Sequence, residues 1–262
     1  KNNRKMKQSE LKKIADTCVN KITKNGFYRE PYKHLIVDNF LPDDLAQKCM
    51  DNFPELSSDV WEHENDDGIE VKSRTKWESE FDIPDDIIDS VRILNSSLVL
   101  NAFSKVFEIQ KLIPDPYFSG GGLNITQKGG LLDVHVDGNY HDATGLNRRM
   151  NALIYLNPDW EESWGGEFGI YNNNGTQLVK KVEPLFNRLV VFDSHDYSYH
   201  GLPDPIKFPD DTDRKSIILY YYTKELRPES QILNKNPHSA LWVKKGIKDK
   251  RGNLSREKYE KT

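Results

Sequence analysis

The spacing of apolar residues changes character along the chain, and the change comes near residue 117. Apolar residues recur at helical spacing over residues 9–24, where Ser9 is a candidate N-cap. Residues 85–110 show the same spacing and are followed by Pro114. We therefore expect two helical stretches in the first half of the chain.

Weaker patterns lie between these two stretches. Residues 33–37 form a short apolar run that predicts a strand. Residues 41–45 follow with a proline and two acids, which is a common way for a helix to start. Residues 56–82 are polar and rich in Asp, Glu and Ser, and for them we expect a long surface loop.

From residue 117 onward, short apolar or alternating runs are separated by clusters of Gly, Asn and Pro. These runs are Gly122–Gln127, Leu131–Val136, Met150–Leu156, Glu167–Tyr171, Gln177–Val182, Arg188–Phe192, Tyr197–His200 and Ser216–Thr223. About eight strands over ~110 residues predict a jelly roll or barrel, not a sheet of alternating strands and helices. The predicted fold class is mainly β with flanking helices (α+β). Its core is a double-stranded β-helix (jelly roll), and the N-terminal helices pack on one face.

We expect one structural domain made of three segments. Residues 1–116 would form an N-terminal support of helices and strands, residues 117–225 the double-stranded β-helix core, and residues 226–262 a basic C-terminal extension. Residues 240–262 hold eight Lys and Arg against three Asp and Glu. Such a tail can dock on phosphate or an acidic partner, but a solvated terminal helix is the simpler interpretation.

Composition narrows the functional class. The 262 residues are 36% hydrophobic and 30% charged, as in soluble globular proteins, and the net charge of −4 predicts no general attraction to nucleic acid or membranes. Two cysteines cannot build a disulfide scaffold or a zinc ribbon. No apolar run follows the basic N-terminus, and none reaches the roughly 20 residues of a membrane helix. We expect a cytoplasmic protein in a reducing compartment, whose oligomeric state the sequence does not predict.

One spacing points to a metal site. His135-Val136-Asp137 ends an apolar run, and on a strand the first and third of these residues face the same side. His200 ends another strand candidate and is followed by Gly-Leu-Pro. Two imidazoles and one carboxylate on one side of a metal leave three positions open, which is the facial triad of non-haem iron(II) oxygenases. A 2-oxo acid would take two of these positions and dioxygen the third.

The spacing by itself leaves alternatives open. With seven His and 41 acidic residues, about one His-x-acid pair is expected by chance on a strand-like spacing, so His135 could be a hydrogen-bonded structural residue. His195, five residues before His200, is an alternative ligand. His141 is interpreted as a loop residue.

An arginine that opens the last strand candidate adds a second signal. Arg214 and Ser216 share one face of that strand, and an inward arginine in an apolar strand requires an anion. A guanidinium offers a bidentate fork to a carboxylate such as the distal one of 2-oxoglutarate. The alternative is a salt bridge to a loop acid, Asp210 or Asp211.

Several stretches, taken in order, carry a resemblance to a known family. They are Gly130 through Asp137, Ile154–Trp160, Gly165–Phe168, Val182–Phe192, His200 and Arg214. They resemble the catalytic core of the 2-oxoglutarate/Fe(II)-dependent oxygenase superfamily, prolyl 4-hydroxylase type. They are similar to the hypoxia-inducible-factor prolyl hydroxylases and their bacterial relatives. The resemblance covers residues 129–223, somewhat over a third of the chain.

The resemblance implies roles for individual residues. It implies that His135, Asp137 and His200 bind iron, and that they and Arg214 are the catalytic residues. The implied 2-oxoglutarate-binding residues are Arg214, Tyr155, Ser216, Asn124 and Leu153. Asn124 stands near a position where the family often has Tyr, and Tyr220 stands where relatives place a Trp near the substrate.

The function that the resemblance implies is an Fe(II)- and 2-oxoglutarate-dependent dioxygenase. It would use O2 to hydroxylate a prolyl residue in a protein or peptide, release succinate and CO2, and take ascorbate as a reductant. Two alternatives stay open: hydroxylation of a free amino acid or small metabolite, and a non-catalytic, metal-binding module of the cupin type. The substrate is the least transferable part, because the loops at residues 138–145 and 203–211 depart from the family pattern beside the site.

Overall fold

The computed structural model describes residues 5–66, 68–233 and 235–250. Within them the helices are α1 Gln8–Lys21, α2 Asp43–Asp51, α3 Ile87–Asn95 and α4 Ser97–Phe107. The strands are β1 Phe27–Tyr28, β2 His34–Val37, β3 Trp61–Asp66, β4 Glu70–Thr75, β5 Ile113–Pro114, β6 Gly122–Thr126, β7 Leu131–Val136, β8 Asn147–Tyr155, β9 Phe168–Tyr171, β10 Leu178–Val182, β11 Arg188–Asp193, β12 His200–Leu202, β13 Arg214–Thr223 and β14 Leu241–Trp242. No helix in the described ranges is both long and apolar enough to cross a membrane.

The strands join in one antiparallel sheet. Their order is β1-β2-β11-β8-β13-β6-β4-β7-β12-β9-β10, while β3 pairs with β4, β5 with β13 and β14 with β7. Most neighbours in the sheet are distant in sequence: β13, for example, lies between β8 and β6. This antiparallel wrapping confirms the predicted double-stranded β-helix.

Side chains alternate between the two faces of the sheet, and the alternation separates the core from a cavity. On β8, Ala152 and Ile154 join the large hydrophobic core beneath the helices, which also contains Leu94 and Phe103. Tyr221 of β13 reaches the same core, where its hydroxyl donates to the Leu94 carbonyl at 3.1 Å. The N-terminal helices therefore pack on one face of the sheet, as predicted.

The first helix begins earlier than its predicted cap. The Glu10 carboxylate accepts the free backbone N–H of Lys7 at 2.6 Å, and α1 starts directly afterwards at Gln8. The prediction of Ser9 as N-cap is therefore wrong, because this residue lies inside the helix.

Residues 85–110 form two helices, where one stretch was predicted. The break falls at Ser96, whose Oγ accepts the N–H of Val99 and so starts α4. The strand predicted at residues 33–37 corresponds to β2, and the helix start predicted at residues 41–45 corresponds to α2.

The prediction of a loop over residues 56–82 is wrong, because β3 and β4 form a hairpin there. The backbones of the two strands pair over six residues, and charged side chains face each other across them: Arg74 lies 3.7 Å from Glu62 and 3.6 Å from Glu64. Further along, β4 pairs with β6 and β7 and so joins the main sheet. The segment has few alternating apolar residues, so its hydrophobic pattern carried no strand signal.

The core strands agree with their predicted ranges to within a few residues, with one larger shift. The strand predicted at residues 197–200 begins instead at His200, because the N–H and Oγ of Ser198 both donate to the His195 carbonyl and form a turn. The three predicted segments are linked by pairing, since β2 pairs with β11 and β14 with β7. The terminal helix predicted for residues 240–262 is wrong over its described part, because Leu241–Trp242 form β14 there; residues 251–262 lie outside the described residues.

Replacing Phe103 by Ala should lower the free energy of unfolding by about 3–5 kcal/mol, because it leaves a void in the core beneath the sheet. Phe103 is fully buried, and its ring centroid lies 5.9 Å from that of Tyr221. Urea unfolding of wild type and Phe103→Ala measures the difference. The control is Phe81→Ala: this side chain is 90% exposed, and its loss should change stability by less than about 0.5 kcal/mol. Equal losses in the two variants would contradict the described core.

Candidate active site

A cavity of about 650 Å³ lies on the face of the sheet that is turned away from the helices. Alternate residues of each strand make its wall, so that Asn151 of β8 lines the cavity while Ala152 joins the core. The residues that line it include His135, Asp137, His200, Arg214, Tyr155, Ser216, Asn124 and Leu153. The structure therefore brings every residue of the predicted site into one cavity.

The three predicted metal ligands meet at one end of this cavity. His135 lies at the end of β7 and Asp137 directly follows that strand, and β12 pairs with β7 so that His200 stands opposite His135. The Asp137 Oδ1 lies 3.3 Å from Nε2 of His135 and 3.6 Å from Nε2 of His200. One ligand atom from each of these buried residues lies within 4.8 Å of the other two. In the described part of the chain, this is the one cluster of His, Cys, Asp or Glu that could hold a metal ion.

Backbone carbonyls orient both imidazoles. Nδ1 of His135 lies 2.8 Å from the Asp133 carbonyl, and Nδ1 of His200 lies 2.9 Å from the Ser198 carbonyl. A carbonyl oxygen only accepts, so each Nδ1 carries the hydrogen and each Nε2 presents a lone pair. Burial, together with the nearby His200, lowers the pKa of His135 and favours its neutral ring. Two lone pairs and a carboxylate thus converge, and a divalent cation fits that donor set.

The third ligand is held in its ionised form. Burial alone would raise the pKa of Asp137, but the positive charge that the His200 and His135 rings carry when protonated outweighs it and holds the pKa well below its usual range. A divalent cation between the same groups would act on the carboxylate in the same direction. Asn151 Nδ2 donates to Asp137 Oδ2 at 3.3 Å. Asn151 was not predicted as a site residue, although its position two residues before Leu153 places it on the same face of the strand.

Arg214 is a buried cation at another part of the cavity wall. Its Nε donates to the Gly166 carbonyl at 2.7 Å. The alternative of a salt bridge to a loop acid is not observed: Asp210 pairs with Lys128 at 2.9 Å, and within the described ranges no carboxylate lies at ion-pair distance from Arg214. The guanidinium therefore lines the cavity without a carboxylate counter-ion from the described residues.

The position of Arg214 depends on a glycine. Gly166 has φ +82°, and a Cβ at this position would lie 3.1 Å from Cδ of Arg214. Only glycine adopts this backbone conformation readily and lets the arginine pass so close. The Gly165-Gly166 pair, noted first as part of a family motif, is thus what brings an acceptor carbonyl onto the guanidinium.

Two hydroxyl groups lie near this guanidinium without a hydrogen-bond partner among the described residues. They are Tyr155 Oη and Ser216 Oγ, both buried and both on residues that line the cavity. Burial raises the pKa of Tyr155, against the opposing charge of Arg214, whose guanidinium carbon lies 5.0 Å from the Tyr155 ring centroid. Buried hydroxyls without partners are costly, so two donors beside a cation fit a bound carboxylate.

The other two predicted co-substrate residues lie in the same wall. Asn124 of β6 stands opposite Ser216 of β13, and Leu153 of β8 stands opposite Ile218. Both side chains are buried and line the cavity. The structure places them beside Ser216 and Tyr155 without fixing a hydrogen bond to either.

His141 has a structural role, as its loop position suggested. The residue is buried, and its Nδ1 accepts the N–H groups of Ala143 and Thr144 at 3.1 Å each. Its Nε2 therefore carries the hydrogen and donates to Asp115 at 2.7 Å. This arrangement fixes the loop that follows Asp137, and neither ring nitrogen is available to a metal.

His195, the alternative ligand, points elsewhere. Its Nδ1 accepts the N–H of Tyr197 at 3.1 Å, and it takes no part in the metal-competent cluster. Burial lowers the pKa of His195 to about 4, so the ring is neutral in the folded protein near neutral pH.

The rim of the cavity carries charges from the hairpin of β3 and β4. Glu70 receives the ammonium groups of Lys72 at 2.9 Å and Lys250 at 2.6 Å. Burial alone would raise the pKa of Glu70, but these two cations lower it to about 2. The ionised Glu70 thus ties the hairpin to the end of the described chain.

Comparisons with known proteins agree with this geometry. Residues 121–222 match the family model of the 2OG-Fe(II) oxygenase superfamily. The prolyl 3-hydroxylase OGFOD1 of Mus musculus is 30% identical over 106 residues, which are 37% of this chain and 19% of that protein. The chain therefore spans about a fifth of this relative's length.

Two solved structures share the fold. A prolyl hydroxylase from Trichoplax adhaerens, in complex with a peptide fragment of the hypoxia inducible factor oxygen degradation domain, has a TM-score of 0.55 and 22% identity over 83% of this chain and 94% of its own. A prolyl-4-hydroxylase of Pseudomonas putida has a TM-score of 0.54 and 17% identity over 79% and 98%. The predicted resemblance is confirmed: residues 121–222 match the oxygenase superfamily model, the chain is similar in sequence to a prolyl 3-hydroxylase, and its fold is similar to that of two prolyl hydroxylases.

The low pKa of His195 makes stability depend on pH. Between pH 6.5 and about 4 the His195 ring is protonated in the unfolded chain but neutral in the folded protein. Acidification from pH 7 to 5 should therefore lower the free energy of unfolding by about 2 kcal/mol through this residue. Urea unfolding at both pH values measures that loss in wild type and in His195→Gln. The variant lacks the titrating ring, so its loss should be smaller by about this amount. Equal losses in the two proteins would show that His195 is not the neutral, buried ring described here.

Proposed function

We propose that this chain is an Fe(II)- and 2-oxoglutarate-dependent dioxygenase that hydroxylates a prolyl residue in a protein or peptide, using O2 and releasing succinate and CO2. The observation that carries the proposal is the pairing of two sites in one cavity. One is the cluster of His135, Asp137 and His200, and the other is the cation Arg214. A metal ion would use the first site and a dicarboxylate the second. Either ligand alone would explain only one of the two sites.

In this proposal, His135 Nε2, the Asp137 carboxylate and His200 Nε2 hold Fe(II). When bound, the iron supplies the oxidative chemistry that couples breakdown of 2-oxoglutarate to insertion of oxygen into a substrate C–H bond. The carbonyls of Asp133 and Ser198 keep both rings in the tautomer that binds a metal. Asn151 donates to Oδ2 of Asp137, while Oδ1, which faces both imidazoles, would bind the metal.

The co-substrate would be oriented by the opposite wall. Arg214 and the hydroxyls of Tyr155 and Ser216 bind the distal carboxylate of 2-oxoglutarate, because they are buried donors that lack a protein acceptor among the described residues, apart from the Nε contact to Gly166. Asn124 and Leu153 would flank the carbon chain from the same strands. Ascorbate is part of the proposal as a reductant that keeps the iron ferrous.

Two observations support the prolyl substrate: the similar proteins are prolyl hydroxylases, and the cavity has a further part lined by Arg148 and Tyr220. There Arg148 lies 4.0 Å from the ring centroid of Tyr220 and donates to the hydroxyl of Tyr222. One phenol oxygen cannot accept hydrogen bonds from every N–H of a guanidinium. We propose that this end, lined by an aromatic ring and a cation, receives the prolyl ring and a neighbouring peptide carbonyl.

Two other functions are weighed against this one. A free amino acid or small metabolite would use the same iron and 2-oxoglutarate sites, so it differs only in the substrate end of the cavity. A non-catalytic cupin-like module would bind metal alone, and the buried Arg214 argues against it, because a module of that kind has no need for a cation beside its metal.

Asp137→Ala should abolish metal binding and turnover, because it removes the carboxylate of the triad. The assay supplies Fe(II), 2-oxoglutarate, O2 and ascorbate, and it follows succinate together with the gain of one oxygen atom by a substrate in mass spectra. Proline-containing peptides are compared with free proline and other free amino acids. Asp210→Ala is the control, since that carboxylate pairs with Lys128 at the surface.

Oxygen gain on peptides would support the prolyl proposal, and gain only on free amino acids would replace it with the metabolite hydroxylase. Metal binding by wild type without any breakdown of 2-oxoglutarate would favour the non-catalytic module. Undiminished turnover in Asp137→Ala would refute the assignment of the triad.

Arg214→Gln should raise KM for 2-oxoglutarate about 10- to 100-fold, because hydrogen bonds to a charged group contribute about 1.5–3 kcal/mol. Arg214→Lys keeps the charge without the planar fork, so its KM should lie between those of wild type and Arg214→Gln. Initial rates of succinate formation at varied 2-oxoglutarate measure KM. Lys128→Ala, an exposed cation on the loop before β7, should leave KM unchanged. An unchanged KM in Arg214→Gln would place the distal carboxylate elsewhere.

A further inference from the structure

Residues 238–250, here named the C-terminal strap, contact the surroundings of all three proposed metal ligands. They lie outside the segment that matches the family model. Resting on the proposed function, we infer that the C-terminal strap, through Trp242, is a positioning element of the metal site, and that metal affinity depends on it.

The first contact is on His135. β14 pairs with β7 so that Trp242 stands opposite His135 and Leu241 opposite Val136. The indole of Trp242 stacks on the imidazole of His135, with 4.5 Å between ring centroids and 27° between planes. On the other side of the strand, Leu241 joins the apolar cluster of Val134 and Val136. The strap thus contacts both faces of β7 at the position of His135.

The same part of the strap also holds the group that orients this imidazole. The backbone N–H of Lys244 donates to Asp133 Oδ2 at 3.1 Å, and the Asp133 carbonyl in turn accepts Nδ1 of His135 at 2.8 Å. Trp242 itself is fixed by two backbone hydrogen bonds, because its N–H donates to Lys248 and its carbonyl accepts from Ile247, both at 2.9 Å. The strap therefore packs on the ring of His135 and also holds the side chain of Asp133, the residue whose carbonyl orients that ring.

The second contact lies directly after Asp137. The backbone N–H of Asn139 donates to the His238 carbonyl at 3.1 Å, and the side-chain oxygen of Asn139 accepts the N–H of His238 at 2.8 Å. Between them, a Cβ on Gly138 would lie 3.0 Å from the His238 carbonyl oxygen and 3.3 Å from Cα of Ser239. The strap passes so close that a side chain at position 138 would push it away.

The third contact reaches the turn that leads to His200. Nε2 of His238 lies 2.9 Å from Oδ1 of Asp196, and both residues are about 1% exposed. Two residues after Asp196, the carbonyl of Ser198 accepts Nδ1 of His200. This buried hydrogen bond restrains the turn whose Ser198 carbonyl orients His200.

The far end of the strap is tied to the rim of the cavity. Lys250 Nζ lies 2.6 Å from Glu70 and 3.2 Å from Glu64 of the β3–β4 hairpin, and 5.7 Å from the ring centroid of Trp242. The indole is thus held by backbone pairing and by an imidazole, with a cation nearby. Groups that orient metal ligands from behind typically change metal affinity 10- to 100-fold when removed.

The test measures Mn(II) affinity of the full chain by following free Mn(II) in electron paramagnetic resonance spectra, with Tm recorded for every variant. Trp242→Ala should weaken Mn(II) binding about 10- to 100-fold, and Trp242→Phe, which keeps an aromatic face, should restore most of it. Trp61→Ala is the matched control, because Trp61 is also buried but stacks on Phe53 in the helical core. It should lower Tm while leaving Mn(II) affinity unchanged.

A Trp242→Ala variant that binds Mn(II) as tightly as wild type would overturn the inference but not the proposed function. The same holds if Trp61→Ala loses as much Mn(II) affinity as Trp242→Ala. Failure of wild type itself to bind Mn(II) would overturn the proposed function and the inference with it. Should Trp242→Ala not fold, Trp242→Leu replaces it, since leucine keeps apolar volume but has no ring to stack on His135. Wild-type affinity in that variant would equally refute the inference.

Discussion

The whole site depends on one pairing, the antiparallel contact between β7 and β12 that sets His200 opposite His135. Side chains alternate along a strand, so this register turns both imidazoles and the Asp137 carboxylate to the cavity side. A slip of one residue would turn Val134 and Val136 into the cavity and force the ligands into the apolar cluster behind β7. The hydrophobic packing on the far side of the strand therefore fixes the geometry of the proposed metal site.

The same alternation explains how the fold tolerates buried polar groups, among them two hydroxyls that have no hydrogen-bond partner in the described part of the chain. On β13, Ile217 and Leu219 are packed into the helix-covered core, while Arg214 and Ser216 face the cavity. Tyr155 on β8 obeys the same rule from the neighbouring strand. Cavity-facing donors destabilise the empty fold, but the core on the opposite face holds their backbone in place whether or not a ligand is present. A rigid arrangement of donors is what an anionic co-substrate needs, because little freedom is lost when it binds.

Sequence reasoning succeeded where a feature is written in the spacing of neighbouring residues. The strands of the core, the convergence of His135 and Asp137 and the inward face of Arg214 all follow from a period of two. It failed where contacts join distant segments without a local pattern. The strands of the β3–β4 hairpin carry many charged residues, such as Glu62 opposite Arg74, so their sequence resembles an ordinary polar loop. Trp242 carried no signal, because only the folded pairing of β14 with β7 brings it onto a ligand.

These distant segments answer a requirement that the core strands alone leave unmet. One edge of β7 is paired with β12, and its other edge is shared by two strands from outside the core. β4 covers Leu131 and Leu132, and β14 covers His135 and Val136. An unpaired edge frays and moves, whereas a metal site needs its ligands within about 0.5 Å of their working positions. β7, which carries His135 and directly precedes Asp137, is therefore paired on both edges beside the proposed ligands. This is why β4 and β14, which lie before and after residues 121–222 in the sequence, both pair with β7. The segments that contain them are rich in charged residues.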